Sequence, residues 1–136
     1  MQAYFLSDVH LRNLKDTRSQ RNRETLLRFL RFLQIQTQIT HLILLGDIFD
    51  LWVGSSSVFY RKYKDVVDAI VQLKQNRNIQ IIYIEGNHDM HFKKFWTRHG
   101  VEVHVDPQYL QLGPWKVRIE HGDLMNPEDT KYLKYR

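Results

Sequence analysis

Four short runs of polar side chains could do chemistry together. Asp8-Val9-His10, Gly46-Asp47-Ile48-Phe49-Asp50, Gly86-Asn87-His88-Asp89 and His121-Gly122-Asp123 offer carboxylates, imidazoles and an amide oxygen. Nitrogen and oxygen donors of this kind suit Mn, Fe, Co or Zn better than Mg alone. The chain has no cysteine, which removes thiolate sites and disulfides from consideration. Asp8 and His10 lie two apart, so on an extended backbone both point to the same side and can share one ion. Asp47 follows Gly46, which lets the chain turn with a metal close to the backbone, and its two oxygens could accept two ions. Asp50 is better placed to hydrogen-bond a histidine and fix its tautomer. Asn87 offers a neutral carbonyl oxygen, while His88 beside it points elsewhere and is free for chemistry. His121 adds a further imidazole. Taken singly, each run also fits an ordinary role: a turn cap at Asp8 or Asp47, an Asx-turn at Asn87, a structural histidine at His121. His41, His91, His99 and His104 are read as structural.

Each run follows an apolar segment, and those segments must position it. Phe5-Leu6, Ile43-Leu44-Leu45, Ile81-Ile82-Tyr83-Ile84 and Val117-Arg118-Ile119 read as strands, and open α/β sheets hold ligands at the carboxyl ends of their strands. The pattern predicts strands over 2–7, 40–46 and 79–85. A polar loop is expected over 8–20. A helix is expected over 21–36, with Leu26, Leu27, Leu30 and Leu33 on its apolar stripe, and a second over 59–76, carrying Tyr63, Val66, Val67, Ile70 and Leu73. A short helix over 91–99 closes at Gly100, and short strands follow over 101–105, 109–112 and 115–120. The alternation predicts a parallel sheet with right-handed crossovers and both large helices packed on it. The last strands extend that sheet or begin a second, and the tail from Asn126 to Arg136 reads as the opening of a helix.

Composition bounds the function. The 136 residues suit one small domain or part of a larger one, and 43% hydrophobic with 26% charged residues is ordinary for a globular protein. No apolar run approaches the ~18 residues of a membrane span, and the N-terminus lacks the pattern of a signal peptide, so a cytoplasmic protein is expected. The net charge of +5 is concentrated: Arg12, Lys15, Arg18, Arg21, Arg23, Arg28 and Arg31 face only Asp16 and Glu24 over that stretch. Such an excess attracts phosphate, nucleic acid or a lipid head group. Aromatic residues are not interleaved with these arginines as in a base-stacking platform, so sequence-specific nucleic-acid binding is not expected.

Asp-x-His, Gly-Asp-x-x-Asp, Gly-Asn-His-Asp and His-Gly-Asp, in that order and each after an apolar strand, resemble the calcineurin-like metallophosphoesterase superfamily. The resemblance runs from Asp8 to Asp123. It implies an α/β fold of paired β-sheets flanked by helices, with the single domain over 1–136 as its N-terminal portion. It also implies two divalent ions, Mn foremost with Fe, Co or Zn as alternatives. By resemblance Asp47 bridges the ions, Asp8 and His10 complete one side, and Asn87 and His121 serve the other. His88 is then the acid that helps the leaving group, and Asp50 orients it. Two cations about 3.5–4 Å apart neutralise a phosphoryl group and generate hydroxide from water near neutral pH.

Ser7-Asp8-Val9-His10-Leu11, together with Gly46-Asp47-Ile48-Phe49-Asp50-Leu51-Trp52, is similar to the UDP-2,3-diacylglucosamine hydrolase branch. That branch makes a lipid A precursor at the inner membrane. The best-known members carry Arg where this chain has His88, and a related group has His. The superfamily's closing Gly-His-x-His element does not occur in this sequence. The expectation is a hydrolase of a phosphoester or pyrophosphate bond acting on a phosphorylated small molecule or lipid, with contact to an anionic membrane surface. The alternatives are a non-catalytic scaffold or inactive fragment on the same fold, and a phosphodiesterase acting on nucleotides. Apolar surface around Val117 and Ile119 is expected to be exposed and to favour self-association.

Overall fold

The computed structural model describes residues 1–12, 16–126, 128 and 130–135; Lys15 of the basic cluster and Pro127, Asp129 and Arg136 of the tail lie outside them. Four parallel strands form the central sheet: β1 (Gln2–Leu6), β2 (Ile39–Leu44), β4 (Gln80–Ile84) and β6 (Glu102–His104), side by side in that order. Register places Tyr4 beside Leu42 and Leu42 beside Ile81, with Leu6, Leu44 and Tyr83 in line two residues on. These side chains line one face. Ile43, Ile82 and Ile84 line the other, as the period-two alternation of a strand requires.

Both crossover helices cover the first face. α1 (Thr17–Ile35) buries Leu26, Leu30 and Leu33, and α3 (Lys64–Asn76) buries Val66, Val67, Ile70 and Leu73. Strands added in sequence by right-handed crossovers put successive helices on the same side. α1 starts four residues before the expected boundary. The Asp16 carboxylate accepts the N–H of Arg18 at 3.0 Å and caps it. Its first turn, from Thr17 to Gln20, is polar, so the apolar stripe gives no sign of it. The expected helix over 59–76 is two helices, α2 (Ser57–Lys62) and α3. They part at Tyr63, whose ring is buried and whose hydroxyl donates to the Leu11 carbonyl at 2.9 Å.

The second face is covered by the hairpin of β7 (Gln108–Leu112) and β8 (Trp115–Ile119). Ile119 is 3% exposed and packs with Ile43, Ile82 and Ile84, and Val117 is partly buried against them. This corrects the expectation that Val117 and Ile119 form an open apolar surface: the docked hairpin turns them inward, and its exposed large hydrophobic side chains are Trp115 and Tyr109. The end strands therefore do both things expected of them. β6 extends the first sheet and the hairpin begins a second. The tail carries a short helix, α5 (Thr130–Tyr135). No helix among the described residues is long and apolar enough to cross a membrane.

Two more strands, too short to read from sequence, tie the site loops together. β3 (Trp52–Val53) runs parallel to β5 (Asp89–Met90), with the Trp52 N–H donating to the His88 carbonyl at 3.0 Å. Trp52 is fully buried among Phe49, Tyr63, Phe92, Phe95 and Trp96, the last two on α4 (Lys93–Thr97). Beside it lies the Asp89 carboxylate, 0% exposed. It accepts N–H groups from Asp47 (2.9 Å), Ile48 (2.8 Å), Phe49 (3.1 Å) and Gly86 (3.1 Å), and the Tyr83 hydroxyl at 2.6 Å. Burial raises its carboxyl to about 6, against the pull of those donors. Burial likewise holds the Tyr83 hydroxyl well above its ordinary value.

Asp89→Asn keeps the shape but turns an amide NH2 toward N–H and O–H donors. Each buried donor left facing another donor costs about 1–3 kcal/mol, so urea unfolding at pH 7 is expected to show a loss of about 3 kcal/mol or more. An unchanged midpoint would mean that this carboxylate does not hold the loops.

Candidate metal centre

The runs that follow β1 and β2 stay paired after the strands end. The Asp8 N–H donates to the Gly46 carbonyl (3.2 Å), His10 to Asp47 (2.9 Å) and Leu11 to Ile48 (3.0 Å); Asp50 donates back to Leu11 (3.0 Å). This pairing carries the backbone through left-handed turns at Asp8 (φ 55°), His10 (φ 49°) and Asp47 (φ 54°). Such conformations cost about 1 kcal/mol or more for residues with a Cβ, and they cluster at functional sites. Their effect is to bring side chains to one point. His10 Nε2 lies 3.7 Å from Asp8 Oδ1 and 3.7 Å from Asp47 Oδ2.

Gly46 makes room for the third run. Its φ is +81°, and a Cβ there would stand 2.7 Å from the Gly86 Cα and 2.7 Å from His121 Nδ1. With no side chain at either position, the loop after β2 meets the loop after β4 directly, and the His88 N–H donates to Asp47 Oδ1 at 2.9 Å. The fourth run arrives from β8. His121 Nδ1 donates to the Leu45 carbonyl at 2.7 Å, which leaves Nε2 facing Asn87 Oδ1 at 3.1 Å and Asp47 Oδ2 at 3.6 Å.

Asp47 is thus the meeting point, 3% exposed, with the Nε2 atoms of His10 and His121 both near the same oxygen. Burial would raise its carboxyl, but His121 and the His88 N–H outweigh this and hold it below the ordinary value. The reciprocal effect is on His121. Its hydrogen-bonding partner Asp47 pushes the imidazole up to about 9, against burial and with help from Leu45 and Asp123. A pocket of carboxylates that draws a proton onto a metal-type imidazole is one that a cation would suit. The donors fit divalent ions of the Mn–Zn range: Asp8, His10 and Asp47 could hold one, and Asp47, Asn87 and His121 a second. Ligand atoms of the first group lie within 4.8 Å of one another, as do those of His10, Asp50 and His88.

Asp50 serves two histidines by different groups. Its backbone carbonyl accepts His88 Nδ1–H at 3.0 Å, which fixes that ring with Nε2 outward. Its carboxylate Oδ1 is 3.5 Å from His10 Nδ1, 3.9 Å from His88 Nδ1 and 3.2 Å from Arg12 Nε. The His10 and His88 rings meet edge to face at 5.0 Å. All seven residues singled out from the sequence therefore converge on one locality. Sequence reading gave no role to Asp89 and placed Arg12 only in the basic cluster that attracts an anionic partner. The one sequence signal for Asp89 is its place between the Gly-Asn-His turn and the apolar Met90 and Phe92.

Residues 1–135 match the calcineurin-like phosphoesterase family. The chain is 29% identical over 138 residues to a UDP-2,3-diacylglucosamine hydrolase of Haemophilus influenzae, covering 98% of this chain and 54% of the relative. It is 31% identical over 138 residues to the enzyme of that name from Hamiltonella defensa, covering 100% and 51%. The chain thus spans about half the length of these curated relatives. Among solved structures, a Pseudomonas putida nuclease named MPE aligns with a TM-score of 0.52 at 22% identity, covering 82% of this chain and 50% of that one. A protein of unknown function from Aquifex aeolicus aligns with a TM-score of 0.55 at 18% identity, covering 97% and 66%. At those identities the likeness speaks for the fold, which is the paired-sheet α/β architecture expected from the four motifs. With its whole described length matched, the chain belongs to the calcineurin-like phosphoesterase family.

Proposed function

We propose that this protein is a two-metal phosphoesterase of the UDP-2,3-diacylglucosamine hydrolase type, and that residues 1–136 are the N-terminal portion of its catalytic domain. The observation that carries the reading is the Asp47 carboxylate, approached by His10 on one side and His121 on the other. Asp8, His10 and Asp47 would hold one divalent ion, Mn foremost, and Asp47, Asn87 and His121 the other. When bound, such ions supply charge for the phosphoryl oxygens and an activated water. The chain's own residues do the rest. Asp50 fixes the His88 tautomer through its carbonyl, so a protonated His88 offers its Nε2–H to the departing oxygen. The Asp50 carboxylate also faces the rear nitrogen of His10, the position from which a carboxylate orients a metal-binding imidazole.

The pyrophosphate bond of an acylated sugar nucleotide is the proposed substrate, supported by the names of the curated relatives and by the arginines near the site. A peripheral position at the cytoplasmic face of the inner membrane follows from that substrate and from the basic surface of α1.

Asp47→Ala should strip both ions, whereas Asp8→Ala or Asn87→Ala should lower the content of one. Metal analysis of protein purified with Mn checks this, and full occupancy in Asp47→Ala would remove the shared ligand. His88→Ala should keep its metals and lose about 10²–10⁴-fold in turnover of an ester with a poor leaving group, with a smaller loss on a nitrophenyl ester. Equal losses on both would sink the acid role.

A further inference from the structure

Beside the metal centre, between the 8–12 run and the first turn of α1, lies a cleft of about 180 Å³. His10, Asp50 and His88 line the side toward the centre, and Arg12 and Arg18 also line the cleft, with Asp16 between them in sequence. Asp16 is engaged as the helix cap. Arg12 is held at two points: its backbone N–H donates to Ser19 Oγ at 2.7 Å, and its side-chain Nε lies 3.2 Å from Asp50 Oδ1. The second contact engages Nε, while the side chain remains 60% exposed.

A substrate with one phosphate needs nothing in this cleft. A diphosphate carries a second anionic group next to the one under attack, and here it would meet a centre already rich in Asp8, Asp47 and Asp50. Those carboxylates repel a second phosphate wherever the ions do not offset them, so cations that face it favour its binding. Among the described residues, Arg12 and Arg18 are the cations that line this cleft, and a guanidinium fork matches two phosphate oxygens at once. We propose that Arg12, with Arg18 beside it, grips the second phosphate of a diphosphate substrate and selects pyrophosphate bonds over simple phosphomonoesters. This rests on the phosphoesterase reading of the adjacent centre. It adds a specificity-determining residue that the four motifs do not contain.

The test is calorimetric titration of the Mn-loaded protein, at fixed ionic strength, with two non-hydrolysable probes: methylenediphosphonate and methylphosphonate. The wild-type chain should prefer the diphosphonate, and Arg12→Ala should cut the ratio of the two affinities tenfold or more. Arg12→Lys should recover part of it, because the charge returns without the fork. If Arg12→Ala does not fold, as judged by its urea midpoint, Arg18→Ala is titrated in its place and should lower the same ratio. A ratio unchanged by either substitution, or equal weakening of both probes, overturns the proposal. Failure of the phosphoesterase reading would look different: no Mn-dependent hydrolysis of any ester by the protein with its complete catalytic domain, whatever the probe ratio.

Discussion

The site depends on one buried carboxylate that never touches a substrate. Asp89 gathers the N–H groups of three successive residues after β2, one from the loop after β4, and a tyrosine hydroxyl from within β4. A lone carboxylate at 0% exposure would be costly. Five donors converging on it make the charged form tolerable, and its carboxyl rises only to about 6. In return, the two loops have one relative position. Asp47 is turned out of the ordinary allowed region because its own N–H is committed to Asp89 while its carbonyl is committed to His10. The strain at Asp47 is thus over-determined by hydrogen bonds on both sides of the peptide, the condition under which such strain persists.

The glycine contact is the steric counterpart of this polar clamp. Gly46 and Gly86 sit where any Cβ would collide with backbone or with site side chains, so the loops approach to a distance that only two glycines permit. Three layers then converge: the first sheet supplies Asp8, His10, Asp47 and Asn87, the hairpin supplies His121, and the aromatic cluster around Trp52 packs beneath the loop between Asp47 and Trp52. Two of the site histidines are oriented by a backbone carbonyl at Nδ1, His121 by Leu45 and His88 by Asp50.

Much of this was legible in the sequence because the apolar strands and the ligand runs are local patterns. Ile43-Leu44-Leu45 followed by Gly46-Asp47 is a strand and its end wherever it occurs. The failures are of three physical kinds. The first turn of α1 carries no apolar stripe, so only the cap at Asp16 marks it. Tyr63 satisfies a helical spacing yet breaks the helix, because its hydroxyl reaches a carbonyl far away in sequence. Val117 and Ile119 were legible as apolar, but which face they cover is a property of the hairpin's docking and not of its own residues. Asp89 belongs with these: its partners are loop N–H groups, and no side-chain pattern announces them.

The order of strands has a consequence for how the chain is assembled. β1, β2, β4 and β6 lie in the sheet in the order in which they occur along the chain. Each new strand joins an edge that its predecessor left open, and none has to insert between two already paired. The sheet can therefore grow from the amino-terminal side as the polypeptide is made, with α1 and α3 laid over one face as they arrive. The hairpin comes afterwards, and with it His121. The cluster of Asp47, Asn87 and His121 therefore needs both the sheet and the hairpin in place.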